Sequence, residues 1–430
     1  MKDIMMNTTL EVLREEAIDV FRINLVEKET AELFYIKKNL DMRRRNDVIT
    51  AQVTVYHDFE RGRKKYRGDA VCIIEPSNTK DEIAKKIRVA YETALFVPNE
   101  FYPIAPKLCR DVVKSVSKIA EKPLLETALD MAEGFFKEDT DDKAFVNSAE
   151  FFVSKTTSRI VNSNGVDVSY EKYGASGEFV VQCKEPQDVE TYQGFNFDDL
   201  SPEELSKMIH RTIVRTKDRA TAKNTVPSGK YQVILSDDSL REVLSFYTSR
   251  ASGNMLYFQY SDYKIGESVQ GNLEEVNGQR MNLSLEPSVP FSGEGIEMKE
   301  ITLVKDGVLE NIQADCRFGH YIDVKPTGLY SKVCCSPGTV SLDDMRKEKS
   351  LYIVNFSDFQ MDFLTGNFGG EIRLAYYFDG KETIPVTGGS VNGDFLSAQK
   401  DMVFSKEMQE NSSFCGPYAV MLKDISVAGE

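Results

Sequence analysis

The chain has 430 residues, which is too long for one compact core. Its residues are 41% hydrophobic and 28% charged, an ordinary balance for a soluble protein. Lys and Arg total 53 against 68 Asp and Glu, a formal charge of −15 that disfavours direct binding to nucleic acid, since such affinity rests on neutralising phosphates. The sequence contains no apolar run of about 18 residues, which is the length that would predict a membrane span. The 7 cysteines, without a CxxC pair, and the absence of a signal-peptide core favour free thiols in the cytoplasm.

The first third of the chain reads as a helix, a strand meander and a second helix. Apolar residues at helical spacing predict a helix over residues 10–26. Alternating, β-branched runs predict three strands, at residues 31–36, 48–56 and 68–74. Thr79 and Glu82 form a capping box that opens a helix, whose buried face is predicted to hold Ile83, Ile87, Ala90 and Ala94.

A basic stretch lies within this meander, at Arg43, Arg44, Arg45, Arg61, Arg63, Lys64, Lys65 and Arg67. Aromatic residues do not alternate usefully with these cations, as they would in a base-stacking surface. We therefore interpret the stretch as solvated hairpin tips rather than a nucleic-acid patch.

The same plan recurs later in the chain. Strand-like runs precede residues 201–204 (SPEE), a second predicted capping box with proline at the first helical position. Its helix is predicted to bury Leu205, Met208, Ile209, Ile213 and Ala220. The strand-like runs lie at residues 149–154, 158–161, 166–170 and 178–183. Residues 30–95 and 148–223 are thus predicted to be two copies of one meander-plus-helix unit.

The pattern of predicted elements changes after residue 226. A strand is predicted at residues 231–235 and a helix at 239–250, followed by short strands with tight turns. The Asp-Gly pairs at 306–307 and 379–380 indicate hairpins, and one late helix is predicted over 395–408. The sequence therefore predicts an α+β fold with two domains, a mixed N-terminal domain (1–225) and a C-terminal domain (226–430) of mostly antiparallel β structure, resembling a barrel or sandwich.

Residues suited to catalysis are few. The 3 histidines are His57, His210 and His320, and we interpret each as a surface or packed residue, because ligand spacing to other donors is missing. Cys316 and His320 would suit two metal ligands on one helical face, but two more ligands would have to come from elsewhere. A nucleophile–base pair of His320 with Cys334, Cys335 or Cys415 is also conceivable, without a local signature to support it. The phosphate-binding and nucleophile-elbow motifs are missing.

Several segments resemble the TldD/PmbA family in sequence and in order. They are residues 161–166 (VNSNGV), 290–296 (PFSGEGI), 301–309 (ITLVKDGVL), 325–328 (KPTG), 363–368 (FLTGNF), 385–391 (PVTGGSV) and 425–429 (ISVAG). The resemblance is specific from about residue 229 onward and diffuse before residue 150.

The resemblance implies metallopeptidase chemistry in one branch of that family. TldD-type subunits hold a catalytic divalent metal, expected to be zinc, on an HExxxH helix and a later Cys-Gly cysteine; the metal polarises the scissile carbonyl and activates water. Here residues 244–249 (LSFYTS) lie at the HExxxH position and contain no histidine, and Glu242 alone cannot replace the motif. Cys415-Gly416 matches the cysteine position only. No catalytic, metal or cofactor residues are therefore assigned.

This departure resembles the PmbA-type, or TldE, branch. It implies a cytoplasmic, non-catalytic subunit that acts with a TldD-type peptidase, as a hetero-oligomer or a homodimer, on extended or unfolded peptide bound by strand addition. The family is associated with peptide-antibiotic maturation, antitoxin turnover and the label "modulator of DNA gyrase". Two alternatives stay open: a metallopeptidase with non-standard ligands (His320, Cys316 and Cys415), or a stand-alone peptide-binding homo-oligomer.

Overall fold

A computed structural model describes residues 1–224, 226–347 and 349–429. The helices are α1 (Lys2–Glu15), α2 (Lys80–Ala94), α3 (Leu124–Lys137), α4 (Pro202–Ala220), α5 (Asp237–Arg250), α6 (Gly253–Tyr257), α7 (Cys316–Tyr321), α8 (Leu342–Met345) and α9 (Phe395–Ala398), with 3-10 turns at Lys118–Glu121 and Leu273–Glu275. Within these ranges, no helix combines the length and the apolar character needed to cross a membrane.

The strands of the N-terminal half are β1 (Val20–Ile36), β2 (Asn39–Arg61), β3 (Lys64–Ile74), β4 (Leu108–Cys109), β5 (Ala144–Asn162), β6 (Val166–Cys183) and β7 (Val189–Phe197). They form one sheet in the order β3-β2-β1-β5-β6-β4, with β7 also paired to β6. Because β1 pairs antiparallel with β5, two three-stranded meanders join side by side. Each meander is followed by a helix, α2 or α4, which is the order of elements that the repeat hypothesis predicts. Common ancestry of the two units stays a prediction.

All four long N-terminal helices pack on one face of this sheet. One core contains Leu13, Ile87 and Val53 from α1, α2 and β2. A second core contains Phe135 and Ile209 from α3 and α4, against the strands β5 and β6. Successive residues of a strand point to opposite faces of the sheet, and the strand residues in these two cores share one face. The opposite face is free of these helices. Part of it is covered by residues of the C-terminal half, as Phe291 and Cys316 pack against Ile160 and Val168.

The C-terminal half begins at the short strand β8 (Lys223–Asn224) and contains β9 (Gly229–Ser236), β10 (Leu283–Glu286), β11 (Ile301–Lys305), β12 (Val308–Leu309), β13 (Lys332–Cys335), β14 (Ser350–Met361), β15 (Asn367–Phe378), β16 (Thr383–Thr387), β17 (Ser390–Asp394), β18 (Val403–Phe404), β19 (Met408–Glu410), β20 (Phe414–Pro417) and β21 (Ala419–Ala428). Strands β14, β9, β21, β17 and β15 form a barrel, closed by pairing of β14 with β15. A second sheet has the order β12-β11-β10-β13-β20-β19. The predicted α+β class with a barrel-like C-terminal half is confirmed.

The predicted helix over residues 10–26 is wrong beyond its first turns. Helix α1 ends at Glu15, and Ala17 adopts a left-handed φ of 52° that turns the chain into β1. The apolar residues at 20–26 fit helical spacing and strand alternation equally well. Pairing of β1 with both β2 and β5 makes this segment a strand. Tertiary pairing here overrides local periodicity.

Other element predictions differ in extent. The four short runs of the second meander are two continuous strands, β5 and β6, and the edge strand β7 was not predicted. The helix over 395–408 is confined to α9, because Val403 and Phe404 pair with β21 instead. Both Asp-Gly turns do join antiparallel strands, β11 to β12 and β15 to β16.

Of the two predicted capping boxes only the first forms. Thr79 accepts a hydrogen bond from the Glu82 amide, and the Glu82 carboxylate accepts one from the Thr79 amide. Ser201 makes no side-chain cap, although Pro202 does open α4. The predicted domain boundary at residues 225 and 226 falls on Thr225, which lies outside the described residues.

The basic stretch is mostly exposed, as expected for solvated tips, with one exception. Arg67 is 7% exposed, donates to both oxygens of Asp58 at 2.6 Å and to the Tyr102 carbonyl at 2.8 Å. Its guanidinium also lies 4.5 Å from the centre of the Phe101 ring. The solvated interpretation is therefore wrong for Arg67, which is a packed structural residue.

Candidate functional site

The three histidines lie in separate, ordinary environments. The ring of His57 stacks on Tyr91 with centroids 4.1 Å apart. On α4, Nε2 of His210 lies 2.6 Å from Oε2 of Glu138. His320, on α7, has its ring 6.3 Å from that of Tyr321. Within residues 1–224, 226–347 and 349–429, no three or more His, Cys, Asp or Glu residues gather as they would around a metal ion.

Helix α5 carries the segment at the family's HExxxH position, and that segment packs into the barrel core. Leu244, Phe246 and Tyr247 are each at most 1% exposed. The Tyr247 hydroxyl donates to Gln399 at 2.7 Å, and burial raises the pKa of Tyr247 well above its ordinary value. Ser245 donates to the Glu242 carbonyl within the helix. These aliphatic, aromatic and hydroxyl side chains do not provide the imidazole pair of a zinc peptidase.

Cys415 lies on β20 directly beside Cys334 of β13. Burial, together with the negative charge of Glu410, raises the pKa of Cys415. Burial and the Glu286 carboxylate raise the pKa of Cys334 far more. Since the thiolate is the form that attacks a carbonyl, the raised pKa values make both thiols weaker nucleophiles at neutral pH.

Cys316 is also held in its unreactive form. It is 3% exposed, and burial followed by the charge of Glu294 raises the pKa of its thiol. Its backbone amide donates to Glu294 Oε2 at 2.8 Å, and Arg22 lies 3.6 Å from the other oxygen of that carboxylate. In the described structure the contacts of Cys316 are therefore with Glu294 rather than with His320.

A cleft of about 860 Å³ separates the open face and edge of the N-terminal sheet from the barrel. Its walls come from β6, β7 and α4 on one side and from the first turns of α5, β14 and the β19–β20 region on the other. Glu242 lines this cleft beside Asp238 and Arg241. Glu242 thus faces the cleft from a position two residues before the segment at the HExxxH position, where Ser245 stands in place of the motif's glutamate.

Strand β7 presents an open edge to the cleft. In a strand, alternate residues direct their backbone groups to the same edge. At the two ends of this edge, the Glu190 carbonyl accepts from Arg219 and the Asn196 carbonyl accepts from the Ser412 amide at 3.3 Å. Tyr192 and Gly194 lie between them on the same edge, and no described strand pairs with β7 on that side. This is the geometry that accepts an added strand.

A largely buried ion pair joins the two halves at the base of the cleft. Arg215 of α4 lies 2.9 Å from Asp237, the first residue of α5, and Arg211 lies 3.6 Å from it. Burial would raise the pKa of Asp237, but the charges of Arg215 and Arg211 hold that pKa below its ordinary value. The Tyr418 hydroxyl accepts from both arginines, at 3.1 and 3.3 Å.

Glu178 places a carboxylate on the sheet wall of the cleft. Glu150 and Glu178 are directly opposite each other on β5 and β6, an arrangement that is destabilising by itself. Burial and then the charge of Glu178 raise the pKa of Glu150. The Tyr192 hydroxyl donates to Glu178 at 2.9 Å and partly satisfies it.

Sequence reasoning missed Arg215, Asp237 and the β7 edge. A signal for Arg215 was present, because Thr212, Arg215 and Thr216 follow the apolar stripe of α4 at helical spacing. A cation on a buried stripe predicts a buried anionic partner. No local pattern identifies Asp237 as that partner.

The fold and the two halves define a protein of the PmbA/TldD family. A model described as the PmbA/TldA metallopeptidase central domain matches residues 115–223, and one described as the PmbA/TldA metallopeptidase C-terminal domain matches residues 228–429. Together they match well over half of the chain, and the chain belongs to this family.

Its relatives carry metalloprotease names in some organisms. A protein of Methanocaldococcus jannaschii without an assigned function is 25% identical over 327 residues, covering 73% of this chain and 76% of its own. A Buchnera aphidicola protein called a metalloprotease PmbA homolog is 22% identical over 306 residues, covering 67% of each chain.

Solved structures with the same fold span almost the entire chain. A Thermotoga maritima protein labelled a modulator of a DNA gyrase has a TM-score of 0.79 at 17% identity and 100% coverage of both chains. TldE from Thermococcus kodakarensis has a TM-score of 0.78 at 16% identity, covering 98% of this chain and 100% of its own. At such identities, the likeness shows the fold alone.

Proposed function

We propose that this chain is the non-catalytic, PmbA-type subunit of a two-component TldD/PmbA peptidase. The observation that carries the proposal is the packing of residues 244–249 into the barrel core, where the family's metal helix would offer two histidines. Cys415, at the remaining ligand position, lies beside Cys334 on the neighbouring strand, and residues 244–249 offer no histidine to share a metal with it. Without the two imidazoles, the segment at the family's metal position lacks the groups that would hold a metal and activate water.

The purified chain is accordingly expected to contain no stoichiometric zinc or iron. Elemental analysis of the wild type and of Cys415→Ser should give the same background metal content, because the substitution removes no working ligand. About one metal ion per chain, lost in Cys415→Ser, would support the alternative of a metallopeptidase with non-standard ligands.

The role that we assign to the cleft is to hold an extended peptide against β7. Strand addition draws its affinity from backbone hydrogen bonds, and Tyr192 and the Gly194 amide offer outward backbone groups at this edge. The Gly194 carbonyl already accepts from the Gln193 side chain at 2.9 Å, a contact that an added strand would share or replace. The acidic wall at Glu178 is suited to peptides that carry a basic side chain facing the sheet.

Backbone-methylated peptides test strand addition directly. Methyl groups on those amides of a short peptide that face β7 should weaken binding at least tenfold, because each removes a donor and adds a clash. Methylation of the alternate amides, which point away, should leave calorimetrically measured binding nearly unchanged. Equal loss from both methylation patterns would contradict an added strand.

The proposed assembly is a hetero-oligomer with a TldD-type subunit. An obligate interface of the usual size, above about 2,000 Å² in total, would hold the two chains together at micromolar concentration. Light scattering on the co-purified chains should give a mass above that of either alone. A chain that stays monomeric with or without such a subunit would contradict the assembly, while leaving the metal prediction intact.

A further inference from the structure

A second, more enclosed cavity of about 450 Å³ lies on the helix-covered side of the N-terminal half. Helix α3 forms one wall, and the end of β7 with the start of α4 forms the other. Its lining is mainly apolar and comes from Met131, Phe135, Phe197, Leu200 and Leu205. The volume lies within the range of small-molecule sites, and the lining has the usual apolar character of such sites.

One polar atom in this wall has no partner. Thr127 is 2% exposed and lines the cavity, and its hydroxyl makes no hydrogen bond to any described atom. Threonines elsewhere in the helices satisfy themselves locally: Thr93, Thr212 and Thr216 each donate to the carbonyl four residues earlier, at 2.7–2.8 Å. A buried hydroxyl left unpaired is costly, so the exception at Thr127 points to an absent partner in the cavity.

A glycine keeps the same wall open. Gly134 stands inside α3, two turns after Thr127 on the cavity side of the helix. A Cβ at Gly134 would meet no atom within 4 Å, so no neighbouring group in the described structure requires glycine here. Glycine in a helix interior is less favourable than alanine. The residue therefore preserves space at the cavity mouth at some cost to the helix.

The charges at the rim neutralise one another. Lys122 pairs with Asp130 at 2.6 Å, and Lys137 and Glu138 contribute one charge of each sign. Lys118 and Glu121 add one charge of each sign. A charged ligand would find no excess of opposite charge at this mouth to stabilise it. An uncharged ligand does not need such stabilisation.

We propose that this cavity binds a small, uncharged, mostly apolar molecule that carries one hydrogen-bonding group. Its apolar body packs against Phe135, Phe197 and Leu205, and its polar group pairs with the Thr127 hydroxyl. A phenol or an unsubstituted aromatic heterocycle fits this description in size and polarity. The site is separate from the peptide cleft and stands or falls independently of the subunit proposal.

Indole is a suitable probe, because it is bicyclic, uncharged and has a single N–H donor. The chain contains 0 tryptophan residues, so indole fluorescence excited on the red edge of its absorption can be followed against a low protein background. Titration of the full chain should give saturable binding at one site per chain, in the micromolar to millimolar range.

Two substitutions locate the bound indole. Gly134→Phe should fill the mouth and weaken binding at least tenfold, whereas Gly134→Ala should retain binding and raise the melting temperature. Thr127→Val keeps the shape but removes the acceptor, and should weaken binding about five- to tenfold. Thermal melting of each variant verifies that it is folded.

Three results would overturn the assignment. They are an absence of saturable binding up to the solubility limit of indole, binding that Gly134→Phe and Thr127→Val leave unchanged in folded protein, and displacement of indole by a purified TldD-type subunit. The last result would show that the cavity receives an apolar side chain of a protein.

Discussion

Substitution of Arg215 by methionine is expected to lower the free energy of unfolding by about 3 kcal/mol. Arg215 is 8% exposed and its guanidinium lies 2.9 Å from Asp237. Removing the cation leaves a largely buried carboxylate with the more distant Arg211, at 3.6 Å, and the Ser236 hydroxyl, at 3.2 Å. We expect the lower end of the range for broken buried pairs, because 24% of the Asp237 side chain stays exposed.

Arg241→Met is the matched control, since Arg241 lines the same cleft and pairs with Asp238 at 2.9 Å. That pair is exposed, with 39% and 84% of the side chains accessible, so the loss should be below about 1 kcal/mol. Urea unfolding at neutral pH measures both. Equal losses in the two variants would contradict the assigned role of the Arg215–Asp237 pair.

The cost of Arg215→Met should also depend on pH. In the wild type the pKa of Asp237 is below its ordinary value of 3.8, so the stability it contributes is present above that pH and is lost as the pH falls through the lowered pKa. In the variant, burial without Arg215 raises this pKa, and protonation relieves the buried charge. The difference between wild type and variant should therefore be largest at neutral pH and shrink towards pH 4.

Local patterns in the sequence predict the repeated meander-plus-helix plan and the Asp-Gly hairpins well. Thr79 with Glu82 marks the start of α2 because the whole capping interaction lies within four residues. The merging of short runs into β5 and β6 could not be read locally. Lys155, Thr156 and Thr157 look like a break, and they are held extended by pairing with β1 on one side and β6 on the other.

For the candidate site, the sequence predicts only which of the family's metal ligands are missing and which one is present. The missing histidines at 244–249 are visible in the sequence, as is the surviving Cys415. The cleft itself depends on contacts between residues that are far apart in the chain, such as Arg215 with Asp237 and Asn196 with Ser412. Such contacts are set by tertiary packing, so a single sequence read by itself does not determine which residues meet.

Mixing this chain with a TldD-type subunit should give an active peptidase that contains both chains. A zinc peptidase needs a polarised carbonyl and an activated water, and only the TldD-type chain would supply both. Cleavage should therefore be undetectable with this chain alone and clear with the mixture, and a chelator should abolish it. Glu242→Gln in this chain should leave the mixed activity within about twofold of wild type, because Glu242 belongs to no cluster of three or more metal-ligating side chains in the part of the chain that the structure describes.

The most direct test is a peptide-cleavage assay on this chain alone, with and without chelator, beside the mixture with wild-type or Glu242→Gln chain. The subunit assignment predicts no cleavage by the chain alone and chelator-sensitive cleavage by both mixtures. Chelator-sensitive cleavage by the chain alone, or loss of the mixed activity in a folded Glu242→Gln variant, would contradict it.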